Sequence, residues 1–243
     1  MWMTSLMMIL WIAFATDSTV APLTPRIEQA VVLGSADQLT QCRDALRAAD
    51  SSEARYTLAY VDWRLYTLSL NSHDKRGPEF LQEAEKLLEA LVKREPDNAE
   101  AHALLSSVFG MQIAASAWKG MTLGPKSSSH VETARKLARD NPRVALQAGV
   151  GLFHTPKMFG GGIEKAEQEL RRAEALFAKE SPDAPWPNWG RLDVQVWLGQ
   201  LLAARGDVEG ARARYQRVLA AAPDYGWVRY ALLPALDNAG KKK

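Results

Sequence analysis

Four histidines, a single cysteine and a loop carrying two tryptophans are the places to look first for chemistry or recognition in this sequence. His73, His102, His130 and His154 form no His-x-x-x-His pair, and none stands near Cys42. The spacing that sets two metal ligands on one helix face is therefore missing. His154 precedes Thr155-Pro156 and a run of three glycines, which makes it the histidine best placed for loop chemistry. Gly120-Met121-Thr122-Leu123-Gly124-Pro125-Lys126-Ser127 is a poor version of a phosphate-cradling loop. Three residues separate its glycines where four are needed, and Pro125 divides glycine from lysine. Residues 120–129 read instead as a polar loop between helices. No Gly-x-Ser-x-Gly elbow occurs. Glu164, Glu167, Glu169 and Glu174 alternate with Lys165, Arg171 and Arg172 at offsets of three and four, the pattern of a solvated helix face. An enzyme is thus the least expected reading, and no metal or cofactor is implied.

Of the eight tryptophans, Trp63, Trp118, Trp197 and Trp227 fall in helical segments and read as core. Trp186 and Trp189 stand in Pro185-Trp186-Pro187-Asn188-Trp189-Gly190, a loop stiffened by its prolines. Two readings are open. The indoles anchor a ligand, or they fold back over the next helix pair. The second is simpler, because large apolar groups seldom stay exposed without a partner.

The elements that must position these residues are helical. Ala, Leu, Glu, Arg and Lys dominate the long segments and few stretches show the alternation of a strand. Hydrophobic residues make up 47% and charged residues 24%, which excludes a disordered chain. Thirty basic and 28 acidic side chains leave a net charge of +2, too little for a field that gathers nucleic acid.

Residues 1–15 carry no charged side chain. Leu6-Met7-Met8-Ile9-Leu10-Trp11-Ile12 is apolar, and Ala13-Phe14-Ala15 supplies a small-x-small cleavage pattern. The run is shorter than the ~20 residues of a spanning helix. A bacterial-style export signal cleaved after Ala15 is expected, which places the mature protein in the periplasm or cell envelope and limits membrane contact to that signal. An uncleaved anchor is the alternative. Cys42 lies well beyond the run, so neither a lipid-anchor cysteine nor an intrachain disulfide is available.

Helix punctuation then divides the chain. Residues 16–50 form an N-terminal segment with a helix, 51–238 a repeat domain and 239–243 a basic tail. Asp50-Ser51-Ser52-Glu53 reads as a capping box opening a helix to about residue 70. Gly77-Pro78 restarts the chain up to Arg94, and Pro96-Asp97-Asn98 separates it from a helix beginning near Ala99. A grammar recurs along this domain. Ala84 is followed by Leu88, Leu91 and Pro96 at offsets of four, seven and twelve. Ala166 is followed by Leu170 and Ala173, and Ala211 by Tyr215, Val218 and Pro223, at the same offsets. Offsets of four and seven share a helix face, the alanine admits a neighbouring helix and the proline ends the turn. One such helix pair cannot bury its face alone, so pairs stack.

Residues 192–225 resemble the tetratricopeptide repeat. Leu198-Gly199, Gly206-Asp207, Ala211, Tyr215 and Pro223 stand at family positions, with Leu202 where a tyrosine is common. His102, Leu105, Ser106 and Phe109 make a second, looser match to a first helix. The family period is 34 residues. The distances from Pro96 to Pro142 and from Pro182 to Pro223 are longer, so the repeats carry insertions.

The resemblance implies an all-α, helical-hairpin repeat solenoid with a concave surface that holds a peptide or protein segment. On it the first helix of each pair meets the ligand. Asp193, Val196, Gln200 and Ala203 share a face away from Leu198 and Leu202, and Glu100, Ala103, Ser107 and Gly110 are their counterparts. Glu100, Ser107, Trp186, Trp189, Asp193, Val196 and Gln200 are therefore the expected binding residues. The expected partner is another protein or peptide. A small-molecule binder, with a pocket between the 120–129 and 155–162 segments, is the rival reading.

Overall fold

A computed structural model describes residues 19–240. The expected export signal at 1–15 and the three closing lysines lie outside them. Eleven α-helices and no strand are present among the described residues. The N-terminal segment supplies two helices, α1 (Thr24–Leu33) and α2 (Ala36–Leu46). Four antiparallel hairpins follow: α3 (Ser52–Ser72) with α4 (Gly77–Arg94), α5 (Ala99–Ala115) with α6 (Gly120–Leu137), α7 (Pro142–His154) with α8 (Ile163–Lys179), and α9 (Arg191–Ala204) with α10 (Val208–Ala221). A π-helical turn, Val228–Leu232, leads into α11 (Leu233–Gly240). No helix among the described residues is long and apolar enough to cross a membrane.

Caps set the register. Ser51 accepts from the Ala54 amide, Asn98 from Ala101 and Asn141 from both Arg143 and Val144. These close three of the four first helices at their free amide ends. Asn98 and Asn141 are the equivalent positions of successive repeats, and each is preceded by an aspartate. The second repeat thus ends on Arg139-Asp140-Asn141 where the first has Pro96-Asp97-Asn98. The proline of this boundary, Pro142, follows the cap as the first residue of α7.

The small-residue grammar is a packing device. Ala84, Ala166 and Ala211 are fully buried. Opposite them the first helices approach on small residues too. A Cβ on Gly199 would run into the Tyr215 ring, and one on Gly149 would lie 2.8 Å from Leu170 Cδ2. In the second hairpin Ser106 and Ser127 take these places, with Ser106 Oγ 2.9 Å from the Ser127 carbonyl.

Residues 120–129 are helical. They form the first half of α6, with Pro125 inside it, so the expected polar loop is corrected. The helix begins after a single 3₁₀ turn at Ala117–Lys119, and Pro125 stands in its second turn, where it supplies no N–H to the Met121 carbonyl. The other insertion, residues 155–162, does remain a turn between α7 and α8.

Three hydrophobic clusters result among the described residues, the smallest being Ala99, Ala103, Ala134 and Val144. The main one runs from Val20 through α7 to Leu201 on α9. A second gathers Val196, Ala211, Tyr215, Val218, Tyr225, Val228 and Leu236. α1 touches both ends of the stack. Ile27 lies in the first core, Val32 packs on the second, and the Gly226 backbone approaches so closely that a Cβ there would sit 2.9 Å from the Leu33 carbonyl.

Candidate binding surface

The first helices α3, α5, α7 and α9 turn their inner faces toward one another, and the inner faces are joined by charge. Near their N-terminal ends Tyr56 donates to Glu100 at 3.3 Å, and Glu100 accepts from Asn141 and Arg143, both at 2.7 Å. Arg143 reaches on to Glu180 at 2.6 Å. Farther along α3, Arg64 donates to Asp193 on α9 at 2.6 Å, and Asp193 also accepts from Tyr225 at 3.2 Å. Burial pushes the Tyr56 and Tyr225 hydroxyls well above their ordinary range, and the acids beside them push the same way, so both stay as donors.

The loop at residues 185–190 lies on this face. Trp186 Nε1 donates to Thr57 Oγ1 at 2.8 Å and Trp189 Nε1 to Tyr56 Oη at 3.1 Å. Trp189 stacks on Tyr60 at 4.8 Å, with the Arg64 guanidinium 5.8 Å from the Trp189 ring centre. Gly190 turns the chain into α9 at φ 108°, a conformation that side chains rarely adopt. The indoles do fold back, but onto α3 of the first hairpin rather than over the next helix pair.

The expected binding residues therefore divide. Trp189 and Asp193 are buried among partners of their own chain, and Val196 has no exposed surface at all. For these three the expected open face is corrected: α9 is enclosed, facing α3 with one side and the second core with another. Glu100 and Trp186 are half-buried and already bonded. Ser107 is half-buried and donates to Gln147 Oε1 at 2.7 Å. Gln200 is half-buried, and its amide nitrogen finds no partner among the described residues.

An aromatic row continues past the filled part. Phe153 meets His154 edge-on at 5.1 Å, His154 meets Trp197 at 5.4 Å, and Trp197 meets Trp227 at 5.9 Å. It spans α7, α9 and the start of the last helical segment. His154 keeps part of its ring open to water, while packing between Phe153 and Trp197 holds its pKa below the usual histidine value. No carboxylate or serine pairs with it among the described residues, so the row offers rings and no acid–base set. Trp197 and Trp227 are half-buried rather than core, and Trp118 is exposed. Sequence patterning missed the row because its rings come from three repeats and no single helix displays it.

No protein-family model matches the chain, and no curated protein matches it. Solved structures do. A thermophilic TPR protein of Thermus thermophilus is similar with a TM-score of 0.59 and 22% identity, covering 90% of this chain and 99% of its own. The HusA haemophore from Porphyromonas gingivalis is similar with a TM-score of 0.61 and 20% identity, covering 77% of this chain and 94% of its own. The fold is a tetratricopeptide-like helical-repeat solenoid. At these identities the likeness carries the fold alone.

Proposed function

We propose that this protein is a non-enzymatic interaction scaffold of the cell envelope, and that it binds an extended protein segment along the row Phe153, His154, Trp197 and Trp227. The row is the observation that carries the reading. It is a set of four rings on the inner side of the last repeats, beyond the stretch filled by Trp186 and Trp189. Aromatic rings supply large contact area with few rotatable bonds, which is why they anchor interfaces. The chain's own loop illustrates the mode. A Pro-Trp-Pro segment rests on Tyr56, Thr57 and Tyr60 through indole N–H bonds and ring stacking. The export signal expected over residues 1–15 is the support for the envelope location. Mature protein from its host then begins at Thr16, and an intact Met1 there would refute cleavage.

A photo-crosslinking residue at position 154 or 227 tests the binding reading in cells that express the protein. It should capture one protein partner, whereas the same residue at Arg171 on α8 should not. Equal capture from both faces, or none from the row, defeats the reading. A planar solute is the second reading, favoured by the edge-on stacking around His154. Since one similar structure is a haemophore, haemin is the first solute to titrate, with tryptophan fluorescence as readout.

A further inference from the structure

The edge of the solenoid carries a feature independent of the inner face. Trp118 is 73% exposed, Met121 88%, Met158 83% and Phe159 72%. Other exposed large side chains, such as Leu70 and Tyr230, stand singly on helices, whereas these four fall in two turns. Trp118 and Met121 flank the start of α6, and Met158 and Phe159 form the 3₁₀ turn after α7.

The two turns are neighbours. Glu100 bonds to Arg143 and Ser107 to Gln147, so α5 and α7 run side by side in the same direction. The turns that follow them open on the same edge, about one helix spacing, ~10 Å, apart. The segments that carry the turns are cationic, with Glu164 and, on α4, Glu85 bonded to Gln112 as the acids at their border. The chain has no acidic residue between Glu100 and Glu132, nor between Asp140 and Glu164. Lys119, Lys126 and Lys157 lie in those stretches and Lys165 adjoins the second. Lys157 pairs with Glu164 at 3.2 Å on the border, and Lys165 Nζ bonds the Gly160 carbonyl at 2.9 Å.

We infer that this edge docks on an anionic lipid surface. Tryptophan, phenylalanine and methionine enter the boundary between headgroups and acyl chains, and the lysines meet the negative headgroups. Two exposed apolar turns, each carrying a lysine, suit a fluid surface, which closes around any shape. A folded partner would have to supply two hollows at a fixed separation. In this arrangement the solenoid stands on its turn edge.

The test uses the full chain and vesicles of phosphatidylcholine with about 30 mol% phosphatidylglycerol. Two variants are compared with the parent: Trp118→Ser with Met158→Ser and Phe159→Ser, and, as control, Tyr230→Ser. All four positions are exposed, and unchanged thermal melts confirm intact folds. The triple change should weaken vesicle binding about tenfold or more, and the control should leave it unaltered. Raising salt or omitting phosphatidylglycerol should weaken the parent. Residues 1–15 are apolar and can engage vesicles by themselves, so the second readout is local. Brominated lipid should quench the fluorescence that the parent has and Trp118→Phe lacks. Absence of that quenching overturns the inference, as does a triple variant that binds as the parent does. Concentration-dependent dimerisation abolished by the triple change would assign the edge to a second copy of the chain and also overturn it.

Discussion

Arg64 on α3 and Asp193 on α9 stand 129 positions apart in the sequence and meet at 2.6 Å on the inner side of the solenoid. The helices α4 to α8 lie between them in the chain, so the contact ties the first hairpin to the last and fixes the curvature of the stack. Tyr225 donates to the same carboxylate and Tyr60 accepts from Arg64 at 2.9 Å, so each charge has further partners. A charge placed at position 193 to probe a binding surface would instead disrupt the interior.

Asp193→Ala leaves the Arg64 guanidinium buried without its counter-charge. Loss of one partner of a buried pair costs about 3–5 kcal/mol. The melting temperature should fall steeply. Replacing both, Arg64→Met with Asp193→Leu, should cost much less, because no unpaired charge remains. Denaturant unfolding of the three proteins checks this. Equal losses from the single and the double change would show that packing, not charge, makes the contact matter.

Trp189→Ala should also destabilise strongly, by about 3–5 kcal/mol, since it empties a buried site between Tyr56, Tyr60 and Trp63. Trp186→Phe keeps most of the ring and loses the bond to Thr57, worth about 1 kcal/mol. The order of the two effects is the prediction. A melt indifferent to both would mean that the loop does not hold α3.

The hairpins were legible in sequence because their signals are local. Ala84, Ala166 and Ala211 sit one turn before the residues they pack beside, and Asn98 caps a helix within three positions. Asn141-Pro142 is equally local, a cap followed by a helix-start proline. Two features were misread. Pro125, set among Gly120 and Gly124, suggested a loop where α6 runs. The inner face was also misread at Asp193 and Val196. Helical spacing tells which residues share a face with Leu198, but not that a distant helix, α3, covers the other side. Tyr56, Tyr60 and Arg64 recur at a spacing of four on α3, and that ridge is the one sequence sign of the covered surface.

Ala211→Leu probes the crossing of α9 and α10. The alanine is fully buried beside the Gly199–Tyr215 contact, so a larger side chain has no room without displacing a helix. Overpacking costs about 1–3 kcal/mol. A thermal melt should show a clear decrease, and Gly199→Ala should act in the same direction. An unchanged melt would place the alanine outside the helix crossing.

The last prediction concerns pH. His130 Nδ1 lies 2.7 Å from His102 Nδ1, and His102 Nε2 lies 3.0 Å from the Pro96 carbonyl. A carbonyl only accepts, so His102 carries its proton on Nε2 and offers Nδ1 to the His130 N–H. A second proton on His130 would sit in a partly dry space beside His102 and Lys126. Burial first, then those two neighbours, holds the His130 pKa below its usual 6.5. A histidine whose folded pKa is depressed favours the folded state above the unfolded value. That contribution is lost as pH falls below 6.5 toward the folded pKa. Asp62 works in the opposite sense, since burial against the pull of Arg43 raises its pKa to about 6 and the folded state takes up that proton first. The decisive quantity is therefore a difference between two proteins. His130→Asn keeps a donor for His102 Nδ1 and removes the titration. Relative to this variant, the parent should lose stability between about pH 7.5 and about pH 5.5. Denaturation midpoints across that range measure it. Parallel curves would show that the His102–His130 contact carries no proton linkage.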